Sequence, residues 1–168
     1  GGIHPPEEKE STRAKAIEDF PLSTLYSVML QQHLGGPAKV IVGQGDIVRK
    51  GQPLSEPLGY VSVPVHAPTS GKIKEIAKKI HPVTGTLSPC IIMEADGRDE
   101  WVEGLPCSRD PFIMERDELL EAIRAAGIVG MGGAGFPSHV KLSPTKPVDT
   151  LILNGAECEP YLTADHRL

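Results

Sequence analysis

From about Tyr26 to Met93 every apolar run is short and ends at Gly, Pro or Asp. That punctuation forbids long helices and leaves brief strands joined by turns. Ala38-Lys39-Val40-Ile41-Val42 gives way to the turn Gly43 to Asp46, and Ile47-Val48 to Lys50-Gly51. Val61, Val63 and Val65 alternate with Ser62, Pro64 and His66, the period of a half-buried strand. Ala67-Pro68-Thr69-Ser70-Gly71 turns the chain again, Ile73 and Ile76 resume the apolar face, and Cys90-Ile91-Ile92-Met93 reads as a final buried strand. Strands of this length and spacing predict a small barrel or sandwich. With 4% aromatic residues, its core must be aliphatic.

The flanking segments have a different character. Residues 1–24 form a Pro- and charge-rich arm in which Pro5 and Pro6 forbid a regular helix. Such an arm either packs along a domain surface or hangs loosely as a terminus. The β domain spans 25–95, and a linker follows over 96–116, with Gly97, Gly104, Pro106 and one anchor, Trp101, docked on a domain surface. Asp117 to Ala126 predicts a short amphipathic helix with Leu119, Leu120 and Ile123 on one side and Gly127 as its stop. A glycine run, a short helix over Ser138 to Leu142, a turn at Pro144 to Pro147 and a strand Thr150-Leu151-Ile152-Leu153 complete the pattern. A further helix begins at the end. One helix, one strand and an unfinished end are the start of an α/β domain over 117–168, not the whole of one.

Gly130-Met131-Gly132-Gly133-Ala134-Gly135-Phe136-Pro137 carries the strongest chemical signal, with four glycines in six residues. Stripping side chains from a loop lets backbone N–H groups approach a ligand, and a following helix N-terminus favours negative charge. Gly130-x-Gly132-x-x-Gly135 formally satisfies the dinucleotide fingerprint, but that motif needs a strand directly before it, and a helix ending at Gly127 precedes it here. The Gly-Lys-Ser/Thr ending of a Walker loop is missing. About twenty residues on, an acidic loop, Asn154-Gly155-Ala156-Glu157-Cys158-Glu159-Pro160, follows the apolar strand.

Bulk properties narrow the function classes. A net charge of −5 over 168 residues, with no basic cluster, argues against nucleic acid as a partner. No stretch reaches the roughly 20 apolar residues of a spanning helix, so action at a membrane implies docking to a partner. Three scattered cysteines, Cys90, Cys107 and Cys158, suit a reducing compartment and cannot supply four thiolates to an iron–sulfur cluster. Glu157, Cys158, Glu159, Asp165 and His166 lack a zinc-type spacing, and cofactor-loop or helix-cap roles explain them better. His33 and His81, beside Gly or Pro turns, read as hydrogen-bonded loop residues.

The extended pair Gly-Gly-Ala-Gly-Phe-Pro with Lys141, then Asn-Gly-Ala-Glu-Cys-Glu-Pro, resembles the flavin site of the NADH-binding flavoprotein subunit of respiratory complex I. Gly1-Gly-Ile-His-Pro-Pro-Glu7, Gln32-His-Leu-Gly-Gly-Pro-Ala38 and Thr163-Ala-Asp-His-Arg-Leu168 resemble the RnfC family, from the Rnf electron-transport complex, an ion-translocating ferredoxin:NAD oxidoreductase. The likeness runs along the whole chain but matches the N-terminal portion of the family protein. Val42-Gly-Gln-Gly-Asp-Ile-Val-Arg-Lys-Gly-Gln-Pro-Leu54 and Ala67-Pro-Thr-Ser-Gly-Lys-Ile73 are similar to the two halves of a biotinyl/lipoyl-type barrel-sandwich hybrid. The stretch between them, Glu56 to Ser62, has no lysine, which disfavours a swinging-arm carrier and favours a structural or docking module.

The resemblance implies an all-β barrel-sandwich hybrid followed by the beginning of an FMN/NADH-binding α/β domain. It implies FMN and NAD(H) as cofactors, held by the backbone of Gly130, Gly132, Gly133, Ala134 and Gly135, with Phe136 stacking on the dinucleotide. Lys141 would lie near phosphate charge, and Asn154, Glu157 and Glu159 would face the flavin–nicotinamide region. Met131 and Ala156 stand where complex I relatives carry Arg and Asp, each removing a charge beside the cofactor. The implied role is electron transport between NAD(H), FMN and iron–sulfur clusters, as part of an oxidoreductase complex whose membrane and peripheral subunits are the partners. Two four-iron clusters are expected only further along the family protein. A peripheral place on the cytoplasmic membrane face and inactivity of the isolated piece are expected. The alternatives are a non-catalytic docking module, or a related flavoprotein such as a cobalamin reductase.

Overall fold

The computed structural model describes residues 2–105, 110–131, 133–157 and 159–167; Gly132, Cys107 and Cys158 lie outside them. Two compact units divide the chain: residues 22–145, and residues 1–21 together with 146–168.

The larger unit is built on β1 (Leu25–Met29), β2 (Lys39–Val40), β3 (Ile47–Val48), β4 (Ser55–Glu56), β5 (Gly71–Ile80) and β6 (Leu87–Ala95). An antiparallel sheet runs in the order β1-β6-β5-β3, and β2 pairs with β4 in a separate ribbon. Val28 opposite Ile91, and Ile73 opposite Met93, set the inward face. Val48, Leu54 and Val65 close over it, giving the expected aliphatic core. Cys90 to Met93 are buried as the sequence predicts, and burial pushes the Cys90 thiol pKa up. Ile76 departs from its expectation: Ile73 is fully buried while Ile76 is 47% exposed. The ladder shifts register between Ile73 and Glu75, and β3 flanks only Gly71 and Lys72, so the far half of β5 has β6 alone as neighbour.

Residues 61–65 are the second departure, because no regular strand forms there. Pro64 has no N–H to give a ladder, and side chains take over the pairing. The Val65 N–H donates to Ser55 Oγ at 2.8 Å, and the Val63 N–H donates to His33 Nε2 at 3.3 Å. His33 is therefore a buried bracing group rather than a surface loop residue. His81 meets its expectation: its Nε2 lies 2.9 Å from the Gln31 carbonyl and its Nδ1 accepts from the Val83 N–H. Trp101 docks where the sequence places it, its ring beside Gly51 and its backbone bridged to Lys50.

In the smaller unit the N-terminal arm is held, not loose. Lys9 Nζ donates to the carbonyls of Glu157, Glu159 and Leu162 at 3.0, 3.3 and 2.7 Å. The Tyr161 N–H donates to the Glu7 carbonyl, and Thr12 Oγ1 to the Tyr161 carbonyl. The predicted strand Thr150–Leu153 does not form; Leu151, Ile152 and Leu153 are 77%, 83% and 85% exposed. A strand exists through its ladder, and no described strand pairs with this segment.

Candidate functional site

The glycine run belongs to the larger unit. It follows α1 (Arg116–Ala125), whose first turn carries Asp117 and Glu118 and whose last carries Arg124, charges that suit the helix dipole. Gly127, at φ 71°, ends that helix as predicted. The chain then makes a tight hairpin, β7 (Val129–Gly130) with β8 (Phe136–Pro137), and enters α2 (Ser138–Lys141). Val129 faces Pro137 and Gly130 faces Phe136, which leaves Met131 to Ala134 as the loop. The Gly135 N–H donates back to the Gly130 carbonyl at 3.2 Å.

This geometry corrects one expectation. Pro137 stands at the N-cap, ahead of a helix only four residues long, so a helix dipole supplies little at the loop. What can attract an anion there is the loop's own N–H groups.

The glycines have separate reasons for being glycine. Gly135 has φ 66°, and a Cβ on it would lie 2.9 Å from the Gln32 carbonyl oxygen and 3.1 Å from His33 Cα. The fold demands it. Gly130 and Gly133 lie outside the left-handed region; a Cβ on Gly130 would come no nearer than 3.8 Å to Phe136 O, and one on Gly133 would meet open space. Met131 is 90% exposed at the loop, Phe136 is half-buried and Lys141 is exposed.

Asn154, Glu157 and Glu159 belong to the smaller unit. Asn154 Oδ1 accepts from the Ala156 N–H at 2.9 Å, closing a local turn. Glu157 Oε1 accepts from the Asp165 N–H at 2.7 Å, at the start of α3 (Ala164–Arg167), which is the helix-cap role. Glu159 is exposed, and its carbonyl receives Lys9.

A cleft of about 680 Å³ has no counterpart in the sequence reading. It opens between Trp101 and the α1 face bearing Ala122 and Ala125, with His66 and Pro53 on its other wall. Alanines three apart opposite a tryptophan were its only signal. Lys50 pairs with Asp99 at 2.6 Å near this rim, and with Thr69 it holds the Asp99 carboxyl below the usual carboxylate range. Burial pushes His66 below its ordinary value, against a smaller opposing effect from a hydrogen bond to the Ala125 backbone. The folded unit therefore binds this proton less readily than the unfolded chain does. Stability should fall as pH drops below 6.5, the ordinary value for histidine. Thermal melts between pH 7.5 and 5 check this, and His66→Gln should flatten that part of the profile.

Comparison with known proteins agrees with this architecture. Residues 1–98 match the RnfC barrel sandwich hybrid domain, and residues 123–168 match the Nuo51 FMN-binding domain. Along 99% of its length the chain is 49% identical to the RnfC-type subunit of the proton-translocating ferredoxin:NAD(+) oxidoreductase complex of Clostridium ljungdahlii, covering 37% of that protein. It is 48% and 46% identical to the corresponding subunits of the ion-translocating oxidoreductase complexes of Serratia proteamaculans and Rhodobacter capsulatus. All of the chain aligns in both cases, covering 24% and 33% of those proteins. The β unit is thus a barrel-sandwich hybrid, followed by a region of the FMN-binding domain type, and the chain belongs to the RnfC family.

Proposed function

We propose that this chain forms the NAD(H)- and FMN-facing part of an electron-transport subunit in an ion-translocating ferredoxin:NAD oxidoreductase. The observation that supports this reading best is the Gly130 and Gly133 pair: neither conformation nor packing asks for glycine there, whereas a closely approaching cofactor does. FMN fits such a loop, because its phosphate and flat ring system need backbone donors without Cβ atoms in the way. Bound there, FMN would take up hydride from NADH and release electrons singly.

The chain's own residues supply binding and orientation. Backbone N–H groups of residues 130–135 would face the cofactor, with Phe136 behind them and Lys141 available for phosphate charge. Asn154 and Glu157 first shape their own loop, through Ala156 and Asp165. In this reading Asn154 keeps its amide nitrogen for a ligand, and Glu157 and Glu159 set a negative edge beside the nicotinamide. We place the domain limits at 25–95 for the β domain and 117–168 for the flavin-type region. Other subunits of the complex at the cytoplasmic membrane face are the proposed partners; no helix among the described residues is long and apolar enough to span a bilayer.

The test is a titration of FMN and NADH against this chain and against a protein of the relatives' full length that contains it. Flavin fluorescence reads binding, and an artificial acceptor reads NADH oxidation. The expected result is FMN binding and NADH oxidation by the long protein, with the short chain weak or inert. A long protein that binds no FMN and oxidises no NADH would sink the reading in favour of a docking module. The exposed Ile80, Val83 and Leu87 at the tip of the β5–β6 hairpin would then be the surface to pursue.

A further inference from the structure

We propose that the barrel-sandwich module is a clamp that fixes the glycine hairpin from behind, with Arg124 and His139 as positioning residues for the cofactor loop. The positioning role rests on the FMN reading above; the clamp itself rests on contacts within the larger unit.

Three separate stretches of the β module grip the segment that carries the loop. On the first, the Leu34 N–H donates to the Gly135 carbonyl at 3.0 Å, at the point where Gly135 presses against Gln32 and His33. On the second, the Gly59 carbonyl accepts from Arg124 Nη2 at 2.8 Å, and the Tyr60 carbonyl lies 2.9 Å from His139 Nε2. The His139 and Tyr60 rings also meet edge to face, with centroids 5.5 Å apart. On the third, Gly127 sits so close to the Pro64 carbonyl that a Cβ would come within 2.8 Å of it. Arg124 ends the helix before the hairpin, and His139 lies in the helix after it. The hairpin is therefore tied to the barrel on both sides and at its last glycine.

Arg124 and His139 reach the barrel at a cost. Arg124 Nε and His139 Nδ1 are buried without a hydrogen-bond partner, and His139 is only 3% exposed. Burying unmet polar atoms is unfavourable, and a leucine at either site would avoid it. What the polar side chains provide is a directional hydrogen bond to one loop of the barrel. A hairpin of two-residue strands has little rigidity of its own. A loop meant to present N–H groups to a cofactor needs its shape imposed by its surroundings.

The clamp gives the lysine-free Glu56 to Ser62 stretch a use. In place of a modifiable lysine, it offers the Gly59 and Tyr60 carbonyls as fixed acceptors.

The experiment uses the full-length protein and two readouts, amide hydrogen exchange and FMN affinity by flavin fluorescence. In His139→Ala and Arg124→Met, exchange over residues 128–141 should rise about tenfold, the loss of one net hydrogen bond, while β5 and β6 keep their wild-type rates. FMN affinity should weaken by a similar factor, and His139→Gln, which keeps a donor for the Tyr60 carbonyl, should restore both. Unchanged exchange over 128–141 in both variants would overturn the clamp. So would a rise spread equally over β5 and β6, which marks a merely structural role. Faster loop exchange with unchanged FMN affinity would overturn the positioning role. If wild-type protein binds no FMN but the exchange result holds, the cofactor reading fails and the clamp stands.

Discussion

Gly71→Ala is expected to disrupt the β module outright. Gly71 opens β5 in the middle of the sheet, with Val48 of β3 on one side and Ala95 of β6 on the other. A Cβ there would overlap the Glu94 carbonyl oxygen and come within 2.9 Å of Ala95 Cα. Both obstacles are backbone atoms of a paired strand, so no rotamer change relieves them. The neighbouring residues anchor the same corner: Ser70 Oγ donates to Asp96 Oδ1 at 2.7 Å and accepts from the Glu100 N–H at 3.0 Å. Moving β6 aside would break these bonds as well as the ladder. The expected cost is on the order of 4 kcal/mol or more, a large part of the roughly 5–15 kcal/mol that holds a typical domain folded. Urea denaturation followed by circular dichroism measures it. A Gly71→Ala protein with a wild-type midpoint would show that the corner is far softer than its hydrogen bonds suggest.

The barrel's turns and its buried Cys90–Met93 strand were legible in the sequence because turn chemistry and apolar runs are local. Helix α1 was legible for the same reason, through Leu119, Leu120, Ile123 and the Gly127 stop. What failed locally was whatever depends on a neighbour. Residues 61–65 alternate as a strand should, yet their partners are Ser55 and His33 side chains, which no periodicity announces. Leu151 to Leu153 have strand composition but no ladder among the described residues. Lys9 holding three distant carbonyls could not be inferred from an arm that reads as charged and Pro-rich. The candidate site divides in the same way. Its glycine loop was visible as a motif, but whether a given glycine serves the fold or a ligand depends on what stands opposite it. Gly132 lies outside the described residues, so that distinction is drawn for its neighbours.

Gly135→Ala and Gly133→Ala should separate these two purposes within one loop. Alanine at 135 must adopt a left-handed φ and press its Cβ onto the Gln32 carbonyl and His33 Cα. The conformational and packing costs together come to about 2–5 kcal/mol, and they fall on the contact where Leu34 holds the hairpin to the barrel. The melting midpoint should drop, and FMN affinity should fall with it because the loop is displaced. Alanine at 133 meets neither obstacle, so stability should stay within about 0.5 kcal/mol of wild type. Its methyl group would instead stand in the open space left above the loop, where a cofactor would approach. In the full-length protein, FMN affinity should weaken by about tenfold or more with no change in melting, since loss of one close backbone contact is of that size. Differential scanning calorimetry and flavin fluorescence on the same two variants give both quantities. An FMN affinity unchanged in Gly133→Ala would mean that the space above the loop is not where the flavin sits. A melting midpoint unchanged in Gly135→Ala would mean that the hairpin does not depend on its seat against Gln32 and His33. The pair is informative because the substitutions are chemically identical and two positions apart. Only what each Cβ meets differs between them, so opposite signatures would assign the glycines to fold and ligand without reference to any relative.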